Sequence, residues 1–113
     1  MSKRDPKLLI GDILEAAGKI KAYTKKYSFN RFIDDSKTMD AVIRNFEIIG
    51  EAANRLHEAF VEKHTAVDWH RIIGFRNRIV HDYMGVDYTI VWTIIQKDLN
   101  KLVRNLNKIY KSL

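Results

Sequence analysis

The sequence has no cysteine, one proline and five glycines among 113 residues. Without cysteine there is no disulfide scaffold, no thiol nucleophile and no zinc site built from thiolates. The scarcity of proline and glycine argues against a turn-rich small β-barrel. No apolar run approaches the ~20 residues of a transmembrane helix, and the N-terminal residues lack a secretory cleavage pattern. We therefore expect a soluble cytoplasmic chain without a membrane partner.

The length and apolar content predict a single domain over residues 1–113. Apolar side chains make up 46% of the chain, which is enough for one core but leaves no room for a second. No internal repeat or low-complexity segment divides the sequence.

Charge is distributed unevenly around a net value of +6. Residues 1–31 carry eight Lys/Arg against three acids, residues 32–68 carry four against eight, and residues 69–113 carry eight against three. Basic ends attract polyanions by counterion release, so RNA or DNA is a candidate partner. Solvated lysines on the surface of a small helical protein explain the same charge.

Apolar residues recur in steps of three and four along the first half of the chain, which predicts two long helices. Asp5 caps the first and Pro6 begins it; its apolar seam is Leu9, Ile13, Ala16, Ile20, Tyr23 and Tyr27. Residues 28–35 break this period and are predicted to form a loop. Ser36 is the predicted cap of the second helix; its seam is Met39, Val42, Phe46, Ile49, Ala53, Leu56 and Phe60.

Two further helices are predicted in the second half. Residues 64–67 lack a period, and Asp68 then caps a short helix, WHRIIGFRNRIVHDY, which a left-handed Gly85 ends. Asp87 begins the last helix, whose seam is Val91, Ile95, Leu99, Leu102, Leu106, Ile109 and Leu113. Short loops between three long helices and a short one predict an all-α fold, an antiparallel up-down bundle of four or five helices.

The short third helix carries the strongest candidate for chemistry. It places Arg76, Asn77, Arg78, His81 and Tyr83 within eight residues. A histidine can exchange a proton with a ribose hydroxyl, and an arginine can bind the phosphate, so this pair suits RNA cleavage without a metal. A helix-terminal cation beside solvated arginines would leave the same pattern.

Helical geometry adds a condition to that hypothesis. Asn77 and His81 lie four residues apart, so the amide could orient the imidazole. Arg76 and His81 lie roughly 140° apart around a regular helix. They could converge at a distorted helix end, through the reach of the arginine, or across a two-fold interface.

The order Arg76, four residues, His81, one residue, Tyr83 resembles the motif of HepT-type toxins in the HEPN superfamily of ribonucleases. The resemblance covers about residues 34–102. It includes residues 41–53, Trp69 with residues 73–75, and further residues after the motif, namely Val86, Asp87, Val91 and Trp92. The short motif has low specificity, whereas the whole set in this order is highly specific.

The resemblance implies a HEPN-like bundle that forms a homodimer, with two motifs in one basic cleft. Arg76 would contact the RNA phosphate and His81 would act as acid and base, leaving a 2′,3′-cyclic phosphate without a metal or another cofactor. The implied partner is an MntA-like nucleotidyltransferase antitoxin that uses ATP and Mg to transfer AMP to Tyr83. That modification would add charge and bulk beside the cleft.

A polar stripe of Arg44, Glu47, Glu51 and Arg55 accompanies the second seam. Ordinary ion pairs on a helix explain it, with Glu51 four residues before Arg55. Alternatively, the stripe meets the motif and, like Asn77 and Arg78, supports His81 or Arg76. A metal site is not expected, because the Glu-x-x-His partners of di-iron bundles are absent. The three other histidines have no ligand spacing either; they are His57, His64 and His70.

Two functions of other classes remain open. One is a non-catalytic interaction subunit that binds a nucleotidyltransferase and presents a nucleotide or substrate to it. The other is a plain nucleic-acid-binding bundle that uses the polar face of the last helix. That face contains Lys97, Lys101, Arg104, Lys108 and Lys111. The two tryptophans, Trp69 and Trp92, are predicted to anchor the short helix to the bundle.

Overall fold

The computed structural model describes residues 5–75, 80–81 and 85–113, with residues 80–81 described by their backbone alone. The fold is all-α, as predicted. The described residues form seven helices and one short antiparallel ladder: α1 Pro6–Thr24, α2 Phe29–Ile33, α3 Ser36–Asn54, α4 Glu58–Lys63, α5 Trp69–Ile73, β1 Val80–His81, β2 Gly85–Val86, α6 Tyr88–Lys97 and α7 Leu99–Lys111.

Side-chain caps explain where most of these helices begin. Asp5 accepts a hydrogen bond from the Lys7 amide, with Pro6 as the first helical residue. Asp68 and Asp87 cap α5 and α6 in the same way, so these three predicted starts are confirmed. The predicted Ser36 cap is wrong by one residue. Asp35 accepts from the Thr38 amide, and Ser36 is the first residue of α3.

The core forms where the predicted apolar seams meet. The seam residues of α1 and α3 from Leu9 to Ile20 and from Val42 to Ala53 are buried, and α1 packs along α3. Val91 to Ile109 of the last seam are buried as well. Tyr23 was predicted to lie in the core, but its side chain is 41% exposed. It is the penultimate residue of α1, where the helix ends and the side chain contacts solvent.

Residues 28–35 are not simply a loop, which corrects the sequence-based prediction. Phe29–Ile33 form the helix α2, capped by Ser28 through the Arg31 amide. Phe32 is fully buried, and its ring centroid lies 5.2 Å from that of Trp92. Trp92 therefore anchors α2, whereas only Trp69 anchors the short helix α5.

The predicted long second and last helices are each interrupted. α3 ends at Asn54, and Phe60 lies on the separate helix α4, where its ring packs 6.2 Å from Trp69. Asp98 separates α6 from α7 and pairs with Arg71 of α5. The apolar period continues across both breaks, because burial depends on which side faces the core and not on helix continuity.

The predicted continuous helix over residues 69–83 is also wrong. α5 ends at Ile73 with Gly74 as its C-cap, and Val80 and His81 have extended backbone paired with β2. Gly85 has a φ of +74°, so its predicted left-handed conformation is confirmed. Gly85 is the first residue of β2 and does not end a helix. Cross-strand backbone pairing has overridden the local helical pattern here.

Candidate active site

The chain enters the Arg/His motif from a well-anchored helix. The buried Trp69 at the start of α5 donates an indole N–H hydrogen bond of 2.8 Å to the carbonyl oxygen of His64. Phe75, two residues after the end of α5, is 2% exposed. Its ring lies edge-on to Phe46 of α3, with the centroids 5.3 Å apart. The residue immediately before Arg76 is therefore anchored in the core.

The backbone of His81 is held on the other side of the motif by the ladder. Val80 pairs with Val86, and His81 pairs with Gly85. Val86 is half-buried and packs against the core, and Asp87 then caps α6. The histidine backbone is thereby tied to the start of α6 and not to the end of α5.

Four of the predicted site residues lie outside the described residues: Arg76, Asn77, Arg78 and Tyr83. Their roles therefore stay predictions, as does the role of the His81 side chain. Because His81 has extended backbone, the proposed Asn77–His81 relation along one regular helix face does not hold.

Glu47 and Glu51 lie where α3 meets the end of α5. Both side chains line a groove with a volume of about 400 Å³, hereafter the acidic groove. Its lining residues are Phe46, Glu47, Gly50, Glu51, Asn54 and Ile73. A Cβ built on Gly50 would be 3.6 Å from the carbonyl oxygens of Ile72 and Ile73, so the two helices approach closely here. The acidic groove thus borders Ile73, three residues before Arg76.

The ion pair predicted between Glu51 and Arg55 does not form. Between residues that the structure describes, two ion pairs occur within 4 Å: Lys19–Glu15 and Arg71–Asp98. Arg55 instead terminates α3 as its C-cap residue and is half-buried. The explanation of Glu51 by an ion pair with Arg55 is therefore wrong. A functional role for Glu51 would rest on its position in the acidic groove.

A second groove lies between α5 and α7, on a different side of α5. It has a volume of about 210 Å³ and is hereafter the α5–α7 groove; its lining residues include Ala66, Val67, Arg71, Ile72, Phe75, Asp98, Lys101, Leu102 and Asn105. Arg71 Nη2 lies 2.8 Å from Asp98 Oδ2 across it. The Asn105 amide donates a 3.3 Å hydrogen bond to the Ala66 carbonyl oxygen.

The α5–α7 groove has no signal in the sequence, for a physical reason. Arg71 and Asp98 are separated by 27 residues, and Asn105 and Ala66 by 39. No helical or strand period relates residues so far apart, so only the tertiary fold brings them together. The charge pattern did predict the exposed basic row, which consists of Lys97, Lys101, Arg104, Lys108 and Lys111. Of these residues, Lys101 lines the groove.

The described residues contain no group of three His, Asp or Glu side chains placed to bind a metal ion. No helix within residues 5–75 and 85–113 is long and apolar enough to cross a membrane. His57 and His64 flank α4 at its two ends, and His70 is an exposed residue of α5. These three histidines therefore do not converge on one site.

Known proteins resemble this chain over nearly its whole length. The family model described as "Ribonuclease HepT-like" matches residues 13–109. "Putative RNase MJ1380" of Methanocaldococcus jannaschii is 41% identical over 106 residues, which cover 94% of this chain and 97% of that protein. "Probable ribonuclease HepT" of Thermococcus cleftensis is 35% identical over 109 residues, covering 96% and 99%. No solved structure matches the chain.

Proposed function

This chain belongs to the HepT-like ribonuclease family, and from that premise we propose that it is a metal-independent endoribonuclease toxin. Arg76 and His81 carry the reaction in a cleft between two copies of the chain. An MntA-like nucleotidyltransferase antitoxin silences it by transferring AMP to Tyr83. The observation that carries the proposal is the family match, which spans the whole Arg/His/Tyr motif.

The proposed reaction needs two groups of the chain. The imidazole of His81 takes the proton from the ribose 2′-hydroxyl, and the oxygen then attacks the adjacent phosphorus. Arg76 donates hydrogen bonds to the phosphate oxygens, whose charge increases in the transition state. As the P–O5′ bond breaks, the imidazolium of His81 gives its proton to the departing 5′-oxygen, and a 2′,3′-cyclic phosphate remains.

The positions of neighbouring residues support this division of roles. Phe75 anchors the chain next to Arg76, and the ladder with β2 anchors the backbone of His81. The residue before Arg76 and the backbone of His81 are thus both held in place, which favours a preorganised site. Glu47 and Glu51 line the acidic groove beside Ile73 and are proposed to support Arg76 or His81, together with Asn77 and Arg78.

Cleavage of end-labelled RNA by the purified protein in EDTA tests the reaction. We expect the parent to leave 2′,3′-cyclic phosphate ends and His81→Ala to lose cleavage. His57→Ala is the matched control, because His57 is exposed and its side chain makes no capping hydrogen bond. Equal cleavage by parent and His81→Ala, or cleavage that requires Mg²⁺, would contradict the assignment. Loss of cleavage with retained antitoxin binding separates the enzyme from a non-catalytic interaction subunit.

Mixing two inactive variants tests whether the site is shared between copies. Arg76→Ala and His81→Ala homodimers should each be inactive, and a mixture of the two should regain part of the activity through mixed dimers. Sedimentation of each protein shows whether dimers form. Monomers at micromolar concentration would contradict the shared cleft, as would dimers that exchange subunits without any gain in cleavage.

Incubation with the antitoxin, ATP and Mg²⁺ tests the modification. The Tyr83 phenolate oxygen would attack the α-phosphorus of ATP, releasing pyrophosphate, and the protein would gain the mass of one adenylyl group. Tyr83→Phe should gain no mass, whereas Tyr23→Phe, which alters an exposed tyrosine of α1, should be modified like the parent. Modification of Tyr83→Phe would place the acceptor elsewhere.

A further inference from the structure

The structure has a groove that the proposed cleavage chemistry does not use. It is the α5–α7 groove, with a volume of about 210 Å³. Sites for drug-sized ligands typically have ~300–1,000 Å³, so this groove suits one flat ring system and not a whole nucleotide. We infer that it binds one nucleobase of the RNA substrate and gives the cleavage a base preference, an inference that rests on the proposed ribonuclease function.

The lining suits a nucleobase because its apolar and polar parts are separate. Val67, Ile72, Phe75 and Leu102 are buried side chains that supply an apolar floor. The polar rim consists of half-buried or exposed residues, namely Asp68, Arg71, Asp98, Lys101 and Asn105. A base likewise has apolar faces and a polar edge, so the floor would contact a face and the rim would bind the edge.

The groove is covalently next to the proposed catalytic arginine. Phe75 lines the groove, is buried against Phe46, and is bonded directly to Arg76. A base in the groove would therefore belong to a nucleotide at or beside the phosphate that Arg76 contacts.

The charge beside the groove suits an RNA backbone. Lys101 is both a lining residue and a member of the exposed basic row on α7. Arg104 lies three residues after Lys101 on the same face of α7, and Lys97 is the last residue of the preceding helix α6. Phosphates of a strand whose base occupies the groove would meet this row, and counterion release would strengthen binding.

The rim also predicts which bases bind well. Asp98 is held by Arg71 at 2.8 Å and can only accept hydrogen bonds when ionised. Adenine, guanine and cytosine offer an exocyclic amino group to such a carboxylate, whereas uracil presents two carbonyl oxygens around a single N–H. Since one good base contact discriminates by ~5-fold or more, we expect uracil to bind at least ~5-fold more weakly than the best base.

Titration of the protein with AMP, GMP, CMP, UMP and ribose 5-phosphate, followed by amide NMR, tests the inference without any cleavage. The backbone amides of Leu102 and Asn105 should shift with the nucleotides, least with UMP, and hardly at all with ribose 5-phosphate. Equal shifts with ribose 5-phosphate would show binding of phosphate only and would overturn the inference. Absence of shifts with every nucleotide would overturn it too.

Two variants and a control locate the binding. Ala66→Phe fills the groove from an exposed position and should abolish the nucleotide shifts, with the rest of the spectrum reporting an intact fold. Asp98→Asn, whose amide can both donate and accept, should bring UMP within ~2-fold of the other nucleotides. Asn107→Ala changes the same residue type as Asn105 on an exposed part of α7 outside the lining and should bind like the parent. Parent-like binding by Ala66→Phe would overturn the inference.

Mapping of cleavage sites separates this inference from the function on which it rests. With a base subsite, Asp98→Asn and Ala66→Phe should cut RNA with a flatter base preference than the parent. If the parent cuts RNA and both variants keep its preference, the subsite is wrong and the ribonuclease stands. If nucleotides bind in the groove but RNA stays intact, the ribonuclease assignment is wrong, and only nucleobase binding by the groove stands.

Discussion

His81 lies directly opposite Gly85 in the two-residue antiparallel ladder, and Gly85 has a φ of +74°. The left-handed glycine allows the chain to return along the backbone of the histidine. The backbone position of His81, the proposed general base, therefore depends on a conformation of residue 85 that L-amino acids adopt only with strain. Steric room is not the reason for glycine at this position, since a Cβ built on Gly85 would have no atom beyond its chain neighbours within 4 Å.

Gly85→Ala should lower the free energy of unfolding by about 1–2 kcal/mol, the cost of a left-handed L-residue. It should also slow RNA cleavage, because the ladder that holds His81 is weakened. Urea unfolding and cleavage rates measure the two effects. Gly18→Ala is the control within α1, where a Cβ is equally free of contacts. It should raise stability by about 0.5–1 kcal/mol. A stabilising Gly85→Ala would contradict the role of φ.

Asp35 should make the protein more stable above pH 4 than at pH 2. The hydroxyl and amide of Thr38 and the hydroxyl of Tyr27 donate hydrogen bonds to the carboxylate and lower the pKa of Asp35 from 3.8 to about 2. Because the pKa of Asp35 is lower in the folded protein than in the unfolded chain, the carboxylate stabilises the fold. This stabilisation is fully present above the unfolded-state pKa of 3.8 and is lost as the pH falls through about 2.

Urea unfolding of parent and Asp35→Asn at pH 5, 3 and 2 measures that contribution. The stability difference between the two proteins should shrink as the pH falls from about 4 to about 2, over the interval set by the two pKa values. Asp34→Asn removes the same charge from an exposed neighbour and provides the control. A difference between parent and Asp35→Asn that is constant with pH would contradict the cap network.

Phe46→Ala should destabilise the protein by about 3–5 kcal/mol, because it leaves a cavity in the core. It also removes the ring against which Phe75 packs, at 5.3 Å between centroids, so cleavage should decrease even in the folded fraction. Tyr23→Ala is the aromatic control. Its side chain belongs to the predicted seam of α1 but is 41% exposed, so the change should stay within about 0.5 kcal/mol. A large loss for Tyr23→Ala would restore the sequence-based prediction.

The Arg71–Asp98 ion pair should contribute little to stability. Its side chains are 46% and 30% exposed, and such pairs contribute about 0.2–1 kcal/mol in double-mutant cycles. Alanine substitutions singly and together, measured by urea unfolding, give the coupling energy, which should decrease in 1 M NaCl. A coupling energy of several kcal/mol would mean that Asp98 variants alter the fold, and their effects on base preference would then have a structural cause.

The helix starts could be predicted because their causes are local. Asp5, Asp68 and Asp87 each accept a hydrogen bond from an amide two or three residues ahead, and a sequence shows such neighbours directly. The breaks were not predictable in the same way. The seam that ends at Phe60 and the seam that begins at Val91 keep their period across the ends of α3 and α6, so periodicity alone cannot distinguish one helix from two.

For the site, the order of Arg76, His81 and Tyr83, taken together with the matching residues before and after the motif, indicated the family to which the chain belongs. Their spacing was misleading about geometry, because a helical interpretation of Val80 and His81 is locally consistent and the ladder with Gly85 and Val86 overrides it. Cross-strand hydrogen bonds have no counterpart in the periodicity of a single segment.

The sequence by itself determined the all-α class, the buried seams, the helix caps and the residues that carry the family motif. These follow from side-chain polarity and from hydrogen bonds between near neighbours. Only the tertiary structure decided that His81 is held opposite Gly85, that Glu47 and Glu51 border the end of α5, and that a groove opens beside Phe75. The physical reason is that each of these depends on contacts between segments distant in sequence, which form when the apolar faces pack together.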